Sequence, residues 1–168
     1  MNKRPKIKLQ LNQTDKILEV LGWISVVGIW ALTLTNYSIL PEIIPIHFNG
    51  AGKADGFGNK TQIFVLPIIS TLLFIGLTTL NKYPYMFNYP SQITKENAVH
   101  QYTNATRMMR VLKLVIVVLF GLIVFRKIQI VNGHADGLGT WFLPLTMGMI
   151  FIPMLYFLIK SLKKKTTI

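Results

Sequence analysis

Long apolar runs separated by short polar segments organise this chain of 168 residues. Residues 20–41, 61–81 and 140–159 hold 22, 21 and 20 residues without one charged side chain. About 20 mainly apolar residues cross the hydrocarbon core of a bilayer as a helix. A fourth run, 108–125, is interrupted only by Arg110 and Lys113 near its start. Long basic side chains reach from a helix end to the headgroups, so this run also qualifies as a span. The pattern predicts an all-α integral membrane protein of a single domain. Its four transmembrane helices are expected at about 18–38, 62–81, 108–128 and 140–160, with loops at 39–61, 82–107 and 129–139.

Charge orients these spans. The net charge is +12, and 14 of the 18 Lys and Arg residues fall on one side of the predicted membrane. Only Lys53, Lys60, Arg126 and Lys127 fall on the other. The positive-inside rule then puts both termini and the 82–107 loop in the cytosol, and the 39–61 and 129–139 loops outside. The basic runs read as topology signals and contacts to anionic lipid, so no direct nucleic-acid partner is expected. The start of the chain also fits a signal peptide, but the run is long and lacks a clear cleavage site, so an uncleaved first helix is expected. Without cysteine, the chain has no disulfide framework, thiolate metal site or cysteine nucleophile.

Two features of the cytosolic side carry structure. Tyr83, Tyr85, Phe87 and Tyr89 alternate with small or polar residues around Pro84 and Pro90, as an aromatic segment at headgroup level would. A helix capped by Thr94 or Ser91 then runs through His100 and Tyr102 into the third span. Arg107, Arg110 and Lys113 recur every third residue along it. This stripe reads as membrane anchoring, with docking of a cytosolic partner as the alternative. Glu19, about one turn inside the first span, reads as a snorkelled carboxylate beside Lys16.

The first outer segment is LPEIIPIHFNGAGKADGFGNK, residues 40–60. Part of it returns as NGHADGLG at residues 132–139. In both copies an Asn-Gly and an Ala-Asp-Gly-x-Gly precede an apolar run, and a Leu-Pro follows near the start of that run. The echo suggests two helical hairpins in parallel orientation, as in transporters that place their sites at a repeat interface. Chance recurrence of common turn pairs is the competing explanation.

The ionisable groups of these segments are the candidate chemistry. His47, Asn49, Asp55, Lys60, His134 and Asp136 are the candidates for ligand recognition. His47, Asp55 and His134 would form a metal site only if the loops met. Asp55 and Asp136 each precede Gly and read more simply as turn-formers. His47, between Ile46 and Phe48, reads as a histidine hydrogen-bonded inside a packed loop or as a pH-sensitive contact. No nucleophile elbow, His-Glu-x-x-His helix or phosphate loop is present. No charge sits in the middle of a predicted span, which argues against a proton relay or ion pump. No cofactor is expected.

Leu40, Pro41, Ile44, Pro45, His47 and Phe48, followed by Gly52, Asp55, Gly56 and Lys60, resemble a membrane domain of unknown function marked by Leu-Pro-x-x-Ile-Pro-x-His-Phe. Asn88 to Pro90 and Glu96-Asn97 are similar to the same domain. It is found at the N-terminus of SdpI-type immunity proteins. The resemblance implies a multi-pass protein of the bacterial cytoplasmic membrane that confers immunity or transduces a signal without enzymatic activity. It also implies an extracellular peptide toxin and a cytosolic regulator as partners beside the lipid bilayer. The C-terminal domain of SdpI-type proteins has no convincing match here. A small transporter or transporter subunit, and a metal-dependent membrane enzyme, are the alternative readings.

Overall fold

The computed structural model describes residues 4–162. Four helices dominate: α1 (Gln13–Tyr37), α2 (Val65–Leu80), α3 (Ala98–Val131) and α4 (Phe142–Leu162). All four, α2 with its preceding 3-10 turn at Lys60–Phe64, are long and apolar enough to cross a membrane. The chain is a multi-pass membrane protein. Two short antiparallel strands, β1 (Ile43–Phe48) and β2 (Ala54–Asn59), join α1 to α2. Among the described residues this hairpin is the one departure from an all-α reading.

Local sequence explains the helix ends. Asn12 accepts from the Asp15 backbone, and the Asp15 carboxylate accepts from the Asn12 backbone. This capping box starts α1 at Gln13, several residues before the apolar run. The same reciprocal pair joins Thr94 and Asn97, and Ala98 then donates to the Thr94 carbonyl. Neither Thr94 nor Ser91 is the N-cap: Thr94 heads the turn before α3, and Asn97 occupies the cap position. α3 has 34 residues, so it is about 50 Å long against a hydrocarbon core of about 30 Å. Its first turns stand clear of the bilayer core.

α3 is the axis of the bundle and packs against each of the other helices. The apolar core joins Val26 and Ile29 of α1, Phe74 of α2 and Val117, Val124 and Ile128 of α3. Leu40 and Ile44 close this core from the hairpin side. At Gly22 a Cβ would lie 2.4 Å from the Phe74 ring, so glycine sets the approach of α1 to α2. Helix α4 buries only Phe157 and Ser161. Polar contacts fasten it: the Gln101 amide donates to the Ser161 carbonyl at 2.9 Å and the Asn104 amide to the Phe157 carbonyl at 2.8 Å.

At the end opposite the hairpin, the aromatic segment is packed rather than loose. Tyr89 donates its hydroxyl to the Pro84 carbonyl at 2.8 Å and leans on the Tyr102 ring. Burial pushes its phenol well above the usual tyrosine range, so it stays a neutral donor. Arg4 lies over the Tyr89 ring and donates to the carbonyls of Tyr85 and Phe87.

Candidate functional site

The hairpin forms the cap of the bundle. Pro45 pairs with Phe57 and His47 with Gly56, and the register shifts on both sides of His47. Such bulges re-aim a side chain. Here the imidazole turns outward, and its Nδ1 lies 2.5 Å from Asp55 Oδ1. The two side chains are 72% and 43% exposed. A packed histidine was expected, but the bulge places it in the open. Asp55 was expected in a turn, but it lies within β2 and serves as the cross-strand partner of His47. Gly56 is required opposite them, since a Cβ there would stand 2.9 Å from the His47 Cβ.

The remaining candidates have other work. Asn49 closes the hairpin turn, its Oδ1 accepting from the Ala51 and Lys53 backbones at 3.0 and 3.1 Å. Lys60 lies 2.9 Å from Glu42 and over the Tyr37 ring. That ties the base of the hairpin to α1. His134 donates its backbone N–H to the Gln129 carbonyl at the end of α3. Its side chain and that of Asp136 face outward.

The two outer segments do meet. Leu138 donates to the Gly52 carbonyl at 2.7 Å, and Lys53 bridges Gly137. The Arg126 guanidinium holds the Gly137 carbonyl from below. Gly52 and Gly139 take positive φ values of 77° and 89°. A Cβ on Gly52 would lie 2.6 Å from the Gly139 carbonyl oxygen. The echo in the sequence is thus a contact between turns, since among the described residues the second segment forms no strand hairpin. No group of three or more His, Asp or Glu side chains among the described residues is gathered to hold a metal ion. His47 and Asp55 come together without His134.

The outer face of the hairpin also carries residues that the sequence reading passed over. Ile43 and Phe57 are 60% and 62% exposed. Along β2, Asp55, Phe57 and Asn59 alternate with half-buried neighbours, and this period of two marks a half-solvated strand. That alternation was the available signal.

A second constellation lies near the other end of the bundle. Arg107 forks onto Asp15 through Nε at 2.9 Å and Nη2 at 3.3 Å. Arg110 Nε lies 3.0 Å from Glu19, and Lys113 Nζ lies 2.5 Å from the other Glu19 oxygen. Lys113 also donates to the Thr78 hydroxyl and stands 4.3 Å from the Phe74 ring centre. Its side chain has no exposed surface, and those of Asp15 and Arg110 have 4% and 6%. The basic stripe is therefore largely buried between helices, with Arg107, 21% exposed, its most open member. It faces α1, where Asp15 and Glu19 stand one turn apart. Glu19 pairs with α3 and not with Lys16, because an interhelical cation in low dielectric outbids a solvated neighbour. The i, i+3 spacing on α3 against the i, i+4 carboxylates on α1 is the signal that reveals this pairing.

Residues 24–71 match the model of a family described as Domain of unknown function (DUF1648). That stretch covers most of α1, the whole hairpin and the start of α2. An uncharacterized protein of Archaeoglobus fulgidus is 34% identical over 89 residues, 48% of this chain and 49% of that protein. The chain spans about half the length of this curated relative. No solved structure matches.

Proposed function

We propose that this chain is a non-enzymatic protein of the bacterial cytoplasmic membrane that recognises an extracellular peptide on the outer face of its hairpin. Immunity or signalling of the SdpI type is the biological role that fits. The observation that carries the reading is the composition of that face. Exposed Phe57 lies two residues from Asp55 of the outward His47–Asp55 pair, and exposed Ile43 lies at the base of the same two-stranded frame, opposite Asn59. Apolar side chains next to a polar pair offer a peptide both buried area and a directional hydrogen bond. The turn contacts at Gly52 and Gly137 hold the face still, so little ordering opposes binding.

The test is a challenge of cells with a secreted, membrane-active peptide toxin. Cells carrying the chain are expected to survive doses that kill cells lacking it. Phe57→Ser and His47→Gln should abolish protection while membrane levels stay unchanged. Equal killing with and without the chain, and no change in a co-encoded regulator, would sink the proposal.

A further inference from the structure

The basic end of the bundle encloses a cavity of about 580 Å³. It is bounded by the N-terminal arm, α1, the end of α2 and α3. The arm has no regular secondary structure over residues 4–10, with Pro5, Ile7 and Leu9 half-buried and the intervening side chains exposed. Tyr102 holds it in place through the Pro5 carbonyl at 3.1 Å. Ile7, Leu9 and Trp23 line the cavity's apolar part.

Its polar part is basic. Charge sets the ligand's sign. Asp15 and Glu19 face three cations in the buried cluster, which leaves one positive charge uncompensated. Arg110 brings that cluster to the cavity wall, and the exposed side chains of Lys8 and Lys82 line the same cavity.

We infer that this cavity binds one anionic amphiphile with a phosphate head, as a phosphoglycerol lipid has. The phosphate lies towards Lys8, Lys82 and Arg110. The chain follows Trp23 and Leu9. Basic pockets between membrane helices at the cytoplasmic surface bind anionic headgroups in this way. The site is at the opposite end from the hairpin and stands independently of the peptide proposal.

Native mass spectrometry of the purified full chain tests it. Delipidated protein in detergent is titrated with phosphatidylglycerol, phosphatidylcholine or free glycerol 1-phosphate. One phosphatidylglycerol per chain should be retained, about tenfold more tightly than phosphatidylcholine. The double variant Lys8→Gln/Lys82→Gln alters only exposed side chains and should erase that preference. Equal retention of the two lipids, or an unchanged preference in the lysine variant, would overturn the site. Equal affinity for free glycerol 1-phosphate would overturn the amphiphile.

Discussion

Single residues decide how the two ends of this molecule are held. Glu19 is the hinge of the buried cluster, because both Arg110 and Lys113 lean on it. Glu19→Gln leaves Lys113 without a counter-charge, beside only the Thr78 hydroxyl and the Phe74 ring, in a site with no exposed surface. Removing one partner of a buried pair costs about 3 kcal/mol or more, since the other charge remains. The expected outcome is a large fall in the unfolding midpoint in detergent. The double change Glu19→Leu/Lys113→Leu should recover only part of it, because the buried Arg110 then keeps only Asp15, at 3.9 Å, as its counter-charge. A single variant as stable as the parent would show that water reaches the cluster. At the hairpin end, Gly52 is the sensitive position. Its positive φ costs a side chain about 1–2 kcal/mol, and the Gly139 backbone blocks the Cβ. Gly52→Ala should separate the two turns, seen as faster proteolysis of the 49–53 segment with the helices intact.

Among the elements, α4 depends on polar contacts more than on area. Gln101 and Asn104 supply them, and both side chains are buried. Interhelical hydrogen bonds in membranes contribute only about 0.6 kcal/mol each on average. Gln101→Leu with Asn104→Leu should therefore lower stability by about 1 kcal/mol, well below the effect at Glu19. A loss as large as that of Glu19→Gln would mean that the two amides anchor α4 almost alone. The helices were legible in the sequence because hydrocarbon demands about 20 apolar residues, and that demand overrides local propensity. The hairpin was not. Residues 54–59, Ala-Asp-Gly-Phe-Gly-Asn, have poor strand propensity. They become a strand only by pairing with β1, which Ile44 pins into the core. The buried cluster was misread for a related reason. A stripe of Arg107, Arg110 and Lys113 viewed alone belongs to the membrane surface. Only its spatial match to Asp15 and Glu19 turns it inward, and those residues are more than 80 positions away.

For the whole molecule, the decisive property is which end faces which compartment. The hairpin and the second outer segment share one end. The N-terminal arm, the aromatic segment and the start of α3 share the other. Basic residues crowd that second end, and the positive-inside rule predicts that it faces the cytosol. Both binding proposals depend on this orientation: a peptide must reach Phe57 from outside, and an anionic lipid must reach Lys8 and Lys82 from the inner leaflet. The chain has no cysteine, so single cysteines report the compartment without background. Ala51 at the hairpin tip and Lys95 before α3 are both exposed. In intact cells, Ala51→Cys should react with a membrane-impermeant maleimide and Lys95→Cys should not. Permeabilised cells should label both. The reverse pattern would invert the molecule and remove both binding sites from the ligands assigned to them. Labelling of both in intact cells would mean a mixed topology. In that case the charge asymmetry, large as it is, would not be what orients the four helices.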